Sequence, residues 1–396
     1  MQRSLRALHV FDIYLNNTEN WAFSLMNHLP AVDVIVASKN FISCDFYSPK
    51  FTYLRFPIQG RANPRRALAG RLYNLAAREI QRWYPAYVAV RSGRVDVIHS
   101  HFAVAGWKYL DLSARLEAPH IVSFYGFDYE YLPFIEPVWH DRYQALFAKA
   151  NLFLCEGPFG AATLMRQGCP GKKIAIAPLG VEVTRIPFHR RRKRRGVLRL
   201  VQIASFREKK GHLYTARAFA EALRTVPELT LTFVGSDPVG LRKQLQASIT
   251  GTVAEGKIQF MEGISFSRLH DFLSDFDAFI HPSLRTDQMD SEGGAPVVLL
   301  DAQATGMPVL STEHADIPSV VQHGVTGLLS AERDVGALAK SIIRFAEMEN
   351  DEYQEFSAAA RRHVEEHYGV VDCARHIRAV YQALVDGRER PIWSGT

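Results

Sequence analysis

The stretch Asp290–Leu329, DSEGGAPVVLLDAQATGMPVLSTEHADIPSVVQHGVTGLL, governs the reading of the whole chain. An acidic, glycine-rich loop runs into the apolar segment VVLLDAQA. Pro296 stands at the junction, where a helix accepts proline because a first-turn residue loses no intrahelical hydrogen bond. This is a loop feeding a helix N-terminus. First-turn amides have no backbone partners and lie at the positive end of the helix dipole, so a phosphate can rest on them. Gly293 and Gly294 let the backbone come close to a ligand. Glu292 precedes the turn and Asp301 falls about one turn inside the helix. Across a bound diphosphate, one carboxylate can reach a sugar and the other a ribose. Gly306 then stops the helix, Pro308 to Ser311 reads as a short buried strand, and a second loop enters another helix.

Outward from this stretch, short apolar runs alternate with helical patterns, as a parallel α/β architecture requires. Strand candidates in the first half are LRALHVF, VDVIVAS, YLRF, DVIHSHF, HIVSFYG, LFLCEG and KIAIAPLG. The second half restarts at LRLVQIA and continues with LTLTFVG, KIQFMEG, AFIHPS and PVLST. A chain of 396 residues with 47% hydrophobic content suits two domains. The expected division is residues 1–188, a basic linker 189–197, a second domain 198–368, and a terminal helix and tail 369–396. The tail, DEYQEFSAAARRHVEEHYGVVDCARHIRAVYQALV, reads as two helices bent near Gly369.

The formal charge of +6 is mild for this length and calls for no nucleic acid. Cys44, Cys155, Cys169 and Cys373 are scattered without a C-x-x-C pair, which argues against a zinc site or disulfide scaffold and for a reducing cytoplasm. The N-terminus carries His9 and Asp12 inside its short apolar run and reads as a first strand, not a signal peptide. No window approaches 18 apolar residues, so no membrane span is expected. Residues 60–94 hold eight arginines and one acid, Glu79. On a helix from Pro64 to Tyr84, Arg71, Arg78 and Arg82 fall within about 40° of one another, bordered by Leu68 and Leu75. That stripe suits either an anionic membrane surface or an ordinary solvated face.

The central stretch resembles the donor-binding signature of retaining glycosyltransferases of family 4. The family pattern is a Glu, seven residues, a second Glu, a Gly-x-Pro strand and a Gly-(x)-x-Gly-Leu-Leu turn. Glu292, Gly306, Pro308 and Gly324 through Leu329 match in order. Eight residues, not seven, separate the carboxylates, and the second is Asp301. The SEGGAP form resembles the branch that includes exopolysaccharide and colanic-acid-type transferases. SFYGFDYEY resembles the family's Thr-Phe-His-Gly-x-Asp motif, with Tyr125 in place of the histidine and Gly126 and Asp128 matching. ASFREKKGH resembles Gly-Arg-Leu-x-x-x-Lys-Gly. Lys210 and Gly211 match, Ser205 takes the arginine position, and Arg207 stands two residues on. Where many members carry a paired-glycine loop, this chain has Asn16, Asn17 and Thr18, with Thr18 or Asn20 read as a helix cap.

The resemblance implies a GT-B fold, two Rossmann-like domains facing a cleft, and a metal-independent hexosyltransferase. DQMD, at Asp287 and Asp290, lacks the spacing of an Asp-x-Asp metal motif. On this reading Lys210 and Arg207 neutralise the donor diphosphate, a charge that grows as the glycosidic bond breaks. Amides of Gly293, Gly294, Ala295 and Val297 around Pro296 assist, Asp301 holds the ribose, and Glu292 orients the sugar. Glu292, Asp128 and His101 are the candidate catalytic residues, Asp128 from the motif whose histidine lies near the reacting sugar and His101 at the cleft end of its strand; His99 is open between a structural and a ligand role. Lys209 reads as a solvated loop charge. The implied partners are a nucleotide sugar and a lipid-linked glycan, on the inner face of the cytoplasmic membrane. Two rivals remain: a glycoside hydrolase using Glu292 and Asp301 as paired acids, and a degenerate donor-binding or scaffold subunit, suggested by Ser205, Tyr125 and Asp301.

Overall fold

The computed structural model describes residues 4–14, 19–42, 47–55 and 84–393. The segment carrying Arg71, Arg78 and Arg82, and the loop Asn16–Thr18, lie outside the described residues. Two all-parallel sheets organise the rest. The first contains β1 (Leu5–Tyr14), β2 (Val32–Phe41), β3 (Thr52–Arg55), β4 (Val97–His101), β5 (His120–Ser123), β6 (Leu152–Cys155) and β7 (Ile174–Ile176), in the order β3-β2-β1-β4-β5-β6-β7. The second contains β8 (Val197–Ile203), β9 (Glu228–Val234), β10 (Ile258–Met261), β11 (Ala278–His281), β12 (Val309–Thr312) and β13 (Gly327–Ser330), in the order β10-β9-β8-β11-β12-β13. Both orders reverse direction beside the first strand of their sheet. Ligands of open α/β sheets bind at such switch points, beyond the carboxyl ends of the strands.

The strands are apolar nearly throughout because helices cover both faces of each sheet. Ala7, Leu8, His9, Val10 and Phe11 are consecutive and all buried. β13 is the strand that the apolar pattern did not disclose; its four residues, GLLS, read as a turn and pair with β12 from Val309–Gly327 to Thr312–Ser330. Too short to show a period, it becomes a strand through that pairing.

Two long helices end the chain, Asn350–His367 and Val370–Asp386. The second packs in the first domain, where Cys373, Ala374, Ile377, Val380 and Tyr381 share a core with Leu5, Ala7 and Phe11. Tyr381 hydroxyl also meets His99 Nδ1 at 2.6 Å, so the last helix is tied to the centre of the first sheet.

The basic stretch expected as the linker alternates sharply. Arg191 is buried, and its guanidinium donates to the carbonyls of Phe276 (2.7 Å), Thr305 (2.8 Å) and Leu273 (3.0 Å) in the second domain. Lys193 is buried as well, with Nζ on the carbonyls of Arg194, Val197 and Ala346. Arg190, Arg192 and Arg194 are exposed. The alternation is that of an extended segment, and its inward cations cap helix and strand ends of the second domain.

Among the described residues no helix is long and apolar enough to cross a membrane. Cys155, Cys169 and Cys373 are buried free thiols, which agrees with their scattered placement; Cys44 lies outside the described residues.

Candidate functional site

A cleft of about 970 Å³ lies between the two sheets, at the carboxyl ends of their strands. Its second-domain wall includes two loops that carry charge, one after β8 and one before the helix Val297–Ala304, with segments after β9 and β10 beside them. After β8 the chain turns through Ser205, Arg207 and a short 3-10 turn, Glu208–Lys210, and enters the helix His212–Leu223 at Gly211. Gly211 has φ +70°, and a Cβ there would stand 2.0 Å from the Pro282 carbonyl oxygen, so the turn requires glycine.

Lys210 points across this turn to Glu292, Nζ to Oε2 2.7 Å. Burial alone would raise the Glu292 carboxyl, but Lys210, then Lys209 and His281, hold it down to about 2. Burial holds the Lys210 ammonium below its ordinary range, against the pull of Glu292. The result is a buried ion pair on the cleft wall with one oxygen to spare, since Glu292 Oε1 has no hydrogen-bond partner. Backbone contacts fix the loop. Glu292 N–H donates to His314 Nε2 at 3.1 Å, and His314 Nδ1 meets Glu332 Oε1 at 2.6 Å, which directs the ring proton to Glu332.

Lys209, read as solvated, is instead held by Asp290 Oδ1 at 2.9 Å and by the Ser291 carbonyl at 3.1 Å. The reason is the fold: the β8 loop and the signature loop run side by side, and their charges pair. Asp290 is thereby engaged, while the Asp287 carboxylate is almost fully solvent-exposed. Arg207 is exposed and lines the cleft.

Ala295, Pro296 and Val297 line the cleft at the start of the helix. Pro296 sits at the cap, one residue earlier than expected, with φ −57°. Gly293 and Gly294 serve a different approach from the one anticipated. A Cβ on Gly293 would stand 2.4 Å from Gly126 Cα and from the Tyr129 ring, and one on Gly294 would stand 1.9 Å from Glu156 Oε2. What these glycines admit is the facing domain. Asp301 lines the far end of the cleft, and its Oδ1 accepts from His270 Nε2 at 2.8 Å. Glu292 and Asp301 thus have separate partners, Lys210 and His270.

The first-domain wall is formed by Trp21, Phe102, Tyr125, Gly126, Phe127, Tyr131 and Glu156. Asn20, proposed as a cap, is the first residue of the helix Asn20–Asn27; Glu19 holds the cap position without a side-chain cap bond. His101 and Asp128 lie behind this wall, both fully buried. Asp128 Oδ2 accepts the Tyr125 N–H at 3.1 Å, and burial, offset by the N–H groups of Tyr125 and Ala103, pushes its carboxyl up to about 7. His101 Nδ1 meets Tyr125 hydroxyl at 2.9 Å and His101 Nε2 meets His9 Nδ1 at 3.0 Å. Tyr125 is therefore the member of this group that reaches the cleft, and the other two position it.

One nitrogen each of His9, His99 and His101 lies within 4.8 Å of the others, a spacing that could suit a metal. His99 already meets Tyr381 and Ser123 (2.6 and 2.7 Å), and both His101 nitrogens are engaged. Burial keeps all three well below their ordinary pKa; His9 and His101 form a hydrogen-bonded chain behind Tyr125, and His99 stacks on His101 with partners of its own.

Sequence reasoning passed over Glu156, His281, His314 and Asp316. Glu156 and His281 immediately follow or end strands, a signal that was available. Asp316 Oδ1 accepts the Phe159 N–H at 2.7 Å across the domain boundary, which only tertiary contact reveals.

Two parallel α/β domains with a phosphate-suited loop and a charged pair facing a cleft define a GT-B glycosyltransferase. Residues 198–348 match the family model described as glycosyl transferases group 1, and residues 17–185 that of glycosyltransferase family 4. The chain is 31% identical over 305 residues to the putative colanic acid biosynthesis glycosyltransferase WcaL of Escherichia coli, covering 74% of this chain and 71% of that one. It is 30% identical to the amylovoran biosynthesis glycosyltransferase AmsK of Erwinia amylovora, covering 67% and 66%. Anabaena HepE, crystallised with UDP and glucose, superposes with a TM-score of 0.70 at 15% identity over 94% of this chain and 98% of that one. Sucrose-phosphate synthase of Thermosynechococcus elongatus gives 0.72 at 15% identity, over 96% and 100%. The protein belongs to glycosyltransferase family 4.

Proposed function

We propose that the enzyme transfers a sugar from a nucleoside diphosphate sugar to a lipid-linked precursor of a surface polysaccharide, with retention at the anomeric carbon. The observation that carries the donor half is the Lys210–Glu292 pair beside the helix start at Val297. Lys210 and Arg207 bind the diphosphate together with amides near Ala295 and Val297, Glu292 orients the sugar through its unpartnered oxygen, and Asp301 receives the ribose. HepE was crystallised with UDP, which supports a nucleotide donor. WcaL and AmsK are named for colanic acid and amylovoran biosynthesis, which supports the acceptor class.

In the reaction the bond from the anomeric carbon to the phosphate oxygen breaks and a bond to the acceptor oxygen forms on the same face. The acceptor proton passes to the leaving phosphate, so no strong side-chain base and no metal is needed. Tyr125, held by His101 and Asp128, shapes the sugar wall. The enzyme works at the inner face of the cytoplasmic membrane, held there by the stripe of Arg71, Arg78 and Arg82. Co-sedimentation with liposomes should then rise with anionic lipid and fall with salt, since the attraction is screened over about 10 Å at 0.1 M. Equal binding to neutral liposomes removes the membrane assignment.

A thermal-shift screen of nucleoside diphosphates and nucleotide sugars tests the donor, because a ligand that binds the folded state raises stability by mass action. A hit permits a radiolabelled transfer assay with membrane lipid extract. Label only in a small water-soluble product refutes the acceptor, and no shift with any nucleotide refutes the donor site.

A further inference from the structure

Glu156 has no part in the reaction described so far. It follows β6 directly, and its side chain crosses the cleft to the signature loop of the second domain. Oε2 lies so close to Gly294 that a Cβ there would stand 1.9 Å away, and the Ala295 N–H donates to the carboxyl group. That amide is among those proposed for the donor diphosphate. A carboxyl oxygen on it shows that the amide takes an oxygen acceptor, as a phosphoryl oxygen would be.

Two buried side chains on the facing, second-domain wall have polar atoms without partners. Glu292 Oε1 has none, on a side chain 9% exposed, and neither ring nitrogen of His281 has one, at 1% exposure. Buried polar atoms are normally hydrogen-bonded, so unpaired ones on a cleft wall mark the place of a ligand.

The charges facing Glu156 decide its state. They are the carboxylates of Asp316 and Glu292, the ammonium of Lys210, the hydroxyls of Tyr125 and Tyr129, and the thiol of Cys155. Lys210 is paired with Glu292, and Asp316 accepts the Phe159 N–H. Glu156 and Asp316 are thus two carboxyl groups side by side with backbone N–H partners and, among the described residues, no salt-bridge cation of their own. Burial, then Asp316 and Glu292, hold it well above the ordinary carboxylate range.

We propose that Glu156 is a binding residue of the donor site, supplied across the cleft by the first domain, and that it hydrogen-bonds the diphosphate end of the nucleotide sugar as a neutral acid. This rests on the donor reading above. A protonated carboxyl offers an O–H to a phosphoryl oxygen, whereas the ionised form would repel it. Affinity is therefore full while Glu156 carries its proton and falls as pH rises through its ionisation.

The test is calorimetric titration of the full chain with UDP, GDP and ADP from about pH 6 to about pH 10. Wild-type affinity should fall with rising pH more steeply than that of Glu156→Gln, which keeps a neutral donor at the same position. At neutral pH the Gln variant should match wild type and Glu156→Ala should bind about tenfold more weakly. Parallel pH curves for wild type and Glu156→Gln, or unchanged affinity in a folded Glu156→Ala variant, overturn the proposal while the donor site stands. No binding of any nucleoside diphosphate to wild type overturns the donor reading, and this proposal with it.

Discussion

Replacing Lys210 by Met tests the centre of the site, because it removes one member of a buried pair and leaves the other charged. Glu292 is held at about 2 against an ordinary 4.5, chiefly by Lys210 at 2.7 Å working against burial. Holding a carboxyl that far down corresponds to about 3 kcal/mol. The usual cost of breaking a buried pair from one side, about 3–5 kcal/mol, is similar. Lys210 returns part of this in the wild type, since burial depresses its own ionisation. Lys210→Met should therefore lose about 2–3 kcal/mol in urea unfolding near neutral pH. A folded pKa below the unfolded one contributes stability above the unfolded value and loses it as pH falls toward the folded one. The gap between wild type and variant should accordingly be open near neutral pH and close as pH falls from about 4.5 toward 2. The double variant Lys210→Met, Glu292→Gln should cost less than Lys210→Met alone, because no buried charge is stranded. In the same variant, nucleoside diphosphate affinity should fall at least about tenfold, for one charge-assisted contact. A stability loss below about 0.5 kcal/mol would refute the electrostatic account; unchanged nucleotide affinity would move the diphosphate elsewhere.

Asp316, pushed up to about 6 from 3.8 by burial, makes folding less favourable as pH rises through that window. Asp316→Asn should remove up to about 3 kcal/mol of this decline between pH 4 and 6 in denaturant titrations; an unchanged pH profile counts against it. Gly126→Ala places a Cβ 1.9 Å from the Glu292 carbonyl oxygen, so the domain loops must separate. Transfer activity should drop sharply, with a stability loss of about 1–3 kcal/mol; wild-type activity would show the contact dispensable. Arg191→Ala should cost more than about 2 kcal/mol because four buried contacts from its guanidinium to Phe276, Leu273 and Thr305 are lost, whereas Arg192→Ala should stay within about 0.5. Equal effects in thermal unfolding would mean that burial does not separate these neighbours.

How far the sequence reached depends on whether a feature is local. The loop-to-helix pattern at 290–304 is spelled by neighbouring residues, so Glu292, Pro296 and Asp301 could be placed before any contact was known. Apolar runs between helical patterns likewise disclosed both parallel sheets, because a strand covered on two faces must be hydrophobic along its length. β13 escaped because four residues carry no period, and its identity comes from β12.

What tertiary structure alone decided are the meetings of side chains far apart in the chain. Lys210 and Glu292 were each assigned to the donor, yet that they pair across 82 residues, leaving one oxygen free, is a fact of packing. The sequence set glycine at 126, 293 and 294; the structure shows why, since the second domain's loop lies against the first, with Gly126 and Gly293 in contact and Gly294 under Glu156. Arg191 and Arg192 are indistinguishable as letters, and an extended backbone turns one into the second domain and the other to water. Local sequence fixes which conformations a segment can adopt, whereas burial and partner charge, which set the ionisation of Glu156, Asp316 and Glu292, exist only once both domains close on one cleft.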